Sequence, residues 1–180
     1  AGGDEHDGAS HPDVRLDRGA RPCLGGGRKR GQQNQALGRS RGGFSTKIHL
    51  KTDKDGLPIA FDLTGGEKAD CPHFPVLLDL GPDIAPRAAI GDKGYDSKAN
   101  RALCRERGIV PVIPQKSNAK DRPANFPNIL YKARSRIEIA VGRLKRFKRI
   151  ALRCEKTARN FQSIISFAAG LCLIKFVHTA

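Results

Sequence analysis

Residues 46–64, TKIHLKTDKDGLPIAFDLT, constrain the fold more than any other stretch of this chain. TKIHLKTD alternates, with Ile48 and Leu50 on one face, and predicts a strand over 46–52. KDGLP carries the Asp-Gly hairpin signal, and PIAFDLT at 58–64 is the partner strand. Strands and helices then alternate. CPHFPVLLDLG (71–81) has an early proline, a Leu-rich turn and a closing glycine, which predicts a short helix. RAAIGDKGY (87–95) holds a short apolar strand that stops at a Gly-containing loop. SKANRALCRERG (97–108) predicts a helix with Ser97 as N-cap and Gly108 as its stop. IVPVIP (109–114) is another strand and 115–128 a polar loop; helices follow over about 129–149 and about 158–177. An antiparallel pair followed by crossovers implies an α/β fold, a mixed sheet with helices on its faces.

The 180 residues give room for one ordinary domain. Composition divides them near residue 43, upstream of which lie eleven of the twenty glycines and no sustained apolar period. Residues 18–43 carry seven Lys/Arg and no acid. Such a segment buries too little apolar area to offset its ordering entropy, so 1–43 is expected to be a Gly/Arg-rich segment that is disordered or lies on DNA as a basic arm, and 44–180 the folded domain. The five cysteines, Cys23, Cys71, Cys104, Cys154 and Cys172, are irregularly spaced without a CxxC pair, which suggests neither a disulfide framework nor a zinc cluster and fits a reducing cytosol. The most apolar run, 161–177, is interrupted by Gln162, two serines and Lys175, and is expected to be a core helix rather than a membrane span. The net charge of +15 favours polyanions, nucleic acid first and an anionic membrane surface second.

Within the long helix, YKARSRIEIAVGRLK (131–145) keeps a single carboxylate, Glu138, among Lys132, Arg134, Arg136, Arg143 and Lys145. With Tyr131 at zero, Arg134, Glu138 and Lys145 fall at about 300°, 340° and 320° on a helical wheel. Leu130, Ile137, Ala140, Val141, Leu144 and Phe147 fall at about 160–280°, so the polar stripe borders the buried face. Glu138 is then either a salt-bridged member of a solvated face or a functional carboxylate beside a bound polyanion. Asp92, in AIGDKGYDS (89–97), lies where a strand gives out into a turn. Ligands gather beyond such strand ends in open α/β sheets, but an Asp-Lys-Gly turn cap also accounts for it.

Taken together, the two stretches resemble the DDE transposases of bacterial insertion sequences, specifically the IS4/IS5-like group. Tyr131, Arg134, Glu138 and Lys145 match that group's Tyr-Arg-Glu-Lys spacing, and GDKGYD around Asp92 resembles its second catalytic motif. ALGRSRGGFSTKIHL, DLTGGEKAD and KTARNF are also similar to it, so the resemblance covers about 31–177. It implies a ribonuclease-H-like fold and DNA cutting and joining by two-metal phosphoryl transfer, with two Mg²⁺ (or Mn²⁺) ions held by three carboxylates, Asp92 and Glu138 among them. It further implies that Lys145 positions a phosphate, that Arg134 contacts DNA or orients Glu138, and that Tyr131 shapes the site. Arg143, Arg146, Lys148, Arg149 and Arg153 would extend the surface for phosphate contacts. The implied partners are double-stranded transposon-end and target DNA and further copies of the chain, with no membrane, in a cytoplasmic, nucleoid-associated setting.

The chain departs from the group at the first catalytic aspartate, expected in an Asp-Ser-Thr-like motif on the opening strand. Residues 1–43 contain no such motif; Asp13 and Asp17 are the nearest acids, in a stretch without strand alternation. The expectation is a missing or degenerate first strand in a fragment whose first thirty or so residues are out of the ancestral frame. Three classes of function therefore stay open: a transposase catalytic domain, a catalytically inactive DNA-binding remnant, and an unrelated basic nucleic-acid-binding protein. The third calls for exposed aromatics among the basic residues, whereas the chain has two Tyr, eight Phe and no Trp.

Overall fold

Alternation in the hairpin region folds as the sequence dictates. A computed structural model describes residues 14–15, 35–40, 43–83, 86–115 and 126–179. β3 (Gly43–Thr52) runs antiparallel to β4 (Pro58–Gly65), with Ile48 opposite Leu63 and Leu50 opposite Phe61. Two short strands, β1 (Val14–Arg15) and β2 (Gly38–Ser40), also pair antiparallel with β3 and flank it in the order β1-β3-β2. In the hairpin turn the Asp53 carboxylate accepts from the Asp55 and Leu57 amides, while Gly56 adopts φ +77°. A Cβ at Gly56 would stand 2.9 Å from the Arg136 carbonyl oxygen. Gly56→Ala is therefore expected to cost at least about 1–2 kcal/mol for the left-handed backbone alone, measured by urea unfolding.

Residues 35–40 lie upstream of the composition change near residue 43 yet are fastened to this sheet. Thr46 Oγ1 donates to the Ala36 carbonyl, Arg153 donates to the Gln35 and Ala36 carbonyls, and Gln35 Oε1 accepts from Ala158 N at 2.8 Å. Val14–Arg15 and Gly43, also within the expected disordered arm, are described as parts of β1 and β3, and the rest of that arm lies outside the described residues.

The even positions of β3 face an apolar core. Ile48 and Leu50 pack with Ala140, Val141 and Leu144 of α4 (Ser135–Lys145), Ile150 of α5 (Lys148–Ala151), and Phe161, Ile165 and Ala168 of α6 (Ala158–Thr179). The odd positions are covered too. Lys47 and His49 are buried, and Lys51 Nζ donates to the Leu78 and Leu80 carbonyls at the end of α1 (Phe74–Asp79). An antiparallel sheet can leave one face to water, but here that face is closed by a polar layer from residues 66–80.

A second, smaller unit follows. β5 (Ala88–Ile90) and β6 (Val110–Val112) pair in parallel around the crossover helix α2 (Lys98–Glu106). Ser97 caps α2 by accepting from Asn100 N at 3.0 Å, and Gly108, at φ +69°, follows its end, as the sequence predicts. Phe74, Cys104, Ile109 and Ile113 form a separate core there. Among the described residues no strand pairing joins β5–β6 to the β3–β4 sheet.

The single helix expected over about 129–149 is broken. α3 (Asn128–Tyr131) passes through a 3-10 turn at Lys132–Arg134 into α4, and Phe147, at φ −78° and ψ 104°, separates α4 from α5. Continued without a break, the helix would aim Ile150 about 120° from the centre of the apolar face. The extended Phe147 re-aims the chain, and Ile150 becomes fully buried. Leu130, expected on the buried face, is exposed because it precedes the 3-10 turn and its change of phase. α6 also departs in part from its expected core role: its first half is buried through Phe161, Ile165 and Ala168, while Ile174, Phe176 and Val177 are exposed. It is the one helix among the described residues long and apolar enough, by length and composition, to cross a membrane.

Candidate active site

Glu138 owes its place to the residues around it on α4. Ala140, Val141 and Leu144 hold the helix against β3, and Arg136 clamps its start to the hairpin turn, donating to the Lys54 carbonyl and to Asp55 Oδ1. Glu138 then stands at the border of the buried face, half-exposed, and accepts from Arg134 Nη2 at 2.8 Å. The i,i+4 ion pair is thus present, and a carboxylate in a first helical turn also suits the helix dipole. Such a pair contributes only about 0.3–0.5 kcal/mol, which leaves stability a weak reason for the residue.

The 3-10 turn tightens the wheel geometry. Residues three apart eclipse in a 3-10 turn, and the Arg134 guanidinium carbon lies 5.7 Å from the Tyr131 ring centroid. The other edge of the ring meets Phe126, with centroids 5.3 Å apart. Burial pushes the Tyr131 phenol up, the Arg134 guanidinium pulls it down, and the Asp92 and Glu138 carboxylates both push it up again. Tyr131 therefore feels both carboxylates electrostatically, although they belong to different elements, Asp92 to the turn after β5 and Glu138 to α4.

Asp92 sits two residues past β5, where Gly91 N still donates to the Val112 carbonyl. Its Oδ1 accepts from Lys93 N at 2.6 Å and caps a 3-10 turn at Lys93–Tyr95. Here too the expected turn-capping role is present beside the expected site position. Asp13 and Asp17 lie outside the described residues, although Val14, next to Asp13 in sequence, pairs with Ile48. Among the described residues no group of three or more His, Cys, Asp or Glu could hold a metal ion.

The basic residues divide. Arg143, Lys145, Arg146 and Lys148 are exposed, with Lys145 about 10 Å along α4 from Glu138. Arg149 is exposed but pairs through Nε with Glu155 at 2.8 Å. Arg153 is not part of that surface. It is buried, its guanidinium is bonded to two backbone carbonyls, and it lies 5.1 Å over the Phe161 ring.

Sequence reasoning missed a buried polar cluster under the Asp92 turn. His49 Nε2 is 2.8 Å from Thr64 Oγ1, and His49 Nδ1 is 3.4 Å from the Tyr95 hydroxyl. Its ring stacks on His73, whose Nε2 bonds Asp62 Oδ2 at 2.6 Å. Lys47 Nζ bridges Asp70 and the Lys68 carbonyl, each at 2.8 Å. Polar residues at the odd positions of KIHLK were the available signal, but alternation alone cannot tell a solvated face from a polar buried one.

The chain matches the family described as the transposase DDE domain over residues 13–173. This match begins upstream of Gly31, where the resemblance was expected to start, and takes in Asp13 and Asp17. A Brucella ovis protein named for the transposase of insertion sequence element IS6501 is 33% identical over 137 residues, 73% of this chain and 100% of that protein. A Burkholderia cepacia protein named for the transposase of IS402 is 33% identical over 138 residues, 72% of this chain and 62% of that protein. The transposase for IS1106 from Neisseria meningitidis serogroup B is 31% identical over 110 residues, 58% of this chain and 37% of its own length. No solved structure matches the chain significantly.

Proposed function

This chain belongs to the DDE transposase family, and we propose that it binds insertion-sequence ends and cuts and joins DNA strands there. The observation that carries this reading is the electrostatic influence of both Asp92 and Glu138 on Tyr131, on a helical segment that continues into the exposed cations Arg143, Lys145, Arg146 and Lys148. The Tyr-Arg-Glu-Lys spacing supports a position within the IS4/IS5-like group. An antiparallel hairpin followed by a parallel crossover pair supports a ribonuclease-H-like catalytic domain over 44–180, with residues 35–40 attached to it.

Asp92 and Glu138 offer hard carboxylate oxygens, which suit Mg²⁺ or Mn²⁺, ions that protein sites bind through one or two carboxylates with water completing the shell. Such ions, when bound, supply charge stabilisation of attacking and leaving oxygens in an in-line displacement. Asp13 is the third ligand in this reading. Arg134 orients Glu138 through the 2.8 Å bond, and Tyr131 walls the site between Arg134 and Phe126. Lys145 takes a backbone phosphate of the transposon end, with Arg143, Arg146 and Lys148 continuing the track as sequence-independent phosphate contacts. Arg149 joins them when DNA displaces Glu155. Double-stranded DNA is the partner, and paired ends call for a homo-oligomer.

Calorimetric titration with Mn²⁺ tests this. Wild type should bind specifically, and Glu138→Gln should weaken binding at least tenfold with an unchanged unfolding midpoint. Equal, feeble binding in both proteins would favour the second reading, a DNA-binding remnant without chemistry. One observation favours that alternative: residues 1–43 hold no Asp-Ser-Thr-like motif for a first catalytic aspartate.

A further inference from the structure

We propose that His49, acting through Tyr95, is a positioning residue that sets where Asp92 stands relative to Glu138, an inference that rests on the function proposed above. The two carboxylates belong to separately hydrogen-bonded units. Glu138 is fixed to the β3–β4 hairpin by the apolar face of α4 and by Arg136 on the turn. Asp92 follows β5, whose strand partner is β6, and no strand pairing among the described residues ties that pair to the hairpin. Their separation is therefore set by whatever joins the two units.

The joint combines an apolar core around Phe74 with a polar layer that converges on the turn that carries Asp92. Tyr95 closes that turn, its amide donating to the Asp92 carbonyl at 2.9 Å. Its hydroxyl meets His49 Nδ1 at 3.4 Å, and His49 Nε2 is held by Thr64 at 2.8 Å, so β3 and β4 both anchor the contact. Asn100 Nδ2 bonds the Tyr95 carbonyl at 2.8 Å and the Cys71 carbonyl at 3.0 Å, tying the turn to the segment that covers the polar face. Gly94 lies so close to Asp70 that a Cβ there would stand 3.1 Å from Oδ2, and Asp70 is itself held by Lys47. Apolar contact of Tyr95 with Phe74 tolerates sliding, whereas hydrogen bonds fix distance and direction. His49 suits the task because a neutral imidazole offers one donor and one acceptor on opposite sides of a rigid ring.

Tyr95→Phe removes only the hydroxyl, and His49→Gln keeps an amide donor and acceptor that can reach both neighbours. Three quantities would be compared across wild type, Tyr95→Phe, His49→Ala and His49→Gln: the unfolding midpoint, amide exchange of residues 92–96, and Mn²⁺ affinity. Tyr95→Phe is expected to keep a near-native midpoint while exchange accelerates locally at 92–96 and Mn²⁺ affinity falls about tenfold. His49→Ala should show the same local loss, and His49→Gln should recover part of it. Wild-type exchange and wild-type affinity in folded Tyr95→Phe would overturn the proposal, as would acceleration spread evenly over the domain. If wild type itself binds no Mn²⁺, the catalytic reading fails while the exchange comparison still decides the positioning role: acceleration confined to 92–96 supports it, and its absence overturns it.

Discussion

Arg153→Ala is expected to lower the stability of the fold by about 3 kcal/mol in urea unfolding. Two hydrogen bonds from a charged donor contribute about 1.5–3 kcal/mol each, and both of those from Arg153 end on backbone carbonyls, Gln35 and Ala36. The guanidinium also lies over Phe161, a fully buried core ring. Relief of desolvation offsets part of the loss, since burial pulls the Arg153 pKa down. Arg153 further holds φ at +42°, a left-handed conformation costing a side-chain-bearing residue about 1–2 kcal/mol. Arg153→Gly should therefore be less damaging than Arg153→Ala by about 1 kcal/mol. A phosphate-contacting arginine would behave otherwise: its alanine variant would lose DNA affinity and keep the stability of the fold. Unchanged unfolding in Arg153→Ala would return this residue to the DNA-binding surface.

The fate of Arg153 shows where local pattern stops being informative. Its partners Gln35 and Ala36 lie more than a hundred positions upstream, so within its own window it reads as one more cation in a basic run. The hairpin was legible because alternation at Ile48 and Leu50 and the Asp-Gly turn agree. The β5–α2–β6 crossover was legible because Ser97 and Gly108 mark both ends of its helix. Helix 129–149 was misread because a wheel assumes one continuous phase, whereas burying Ile150 requires the break at Phe147. Asp92 and Glu138 were singled out by motif spacing; the wheel alone gave the border position of Glu138 and said nothing of where Asp92 lies relative to it. That relation depends on how two units with separate strand pairings dock, through residues such as Tyr95 and Asn100 that no periodicity marks.

The same docking layer should make the fold acid-sensitive through His49. Desolvation by burial is the main reason its pKa falls from 6.5 to about 4, with His73 and Lys47 lowering it further and Asp70 and Asp62 opposing them. The sign follows from proton counting. Between pH 6.5 and about 4 the unfolded chain binds a proton at this position that the folded chain refuses, so stability falls as pH falls through that window. The full contribution is present above pH 6.5, and a difference of this size corresponds to about 3 kcal/mol by pH 4. Urea unfolding of wild type and His49→Gln at pH 7, 6, 5 and 4.5 isolates the effect, because glutamine leaves every other titrating group in place. Wild type should lose its advantage steadily below pH 6.5, and the two stability curves should converge or cross toward pH 4.5. Parallel curves would mean that His49 takes up its proton in the folded state, which would require water to reach the layer between the hairpin and the Asp92 turn.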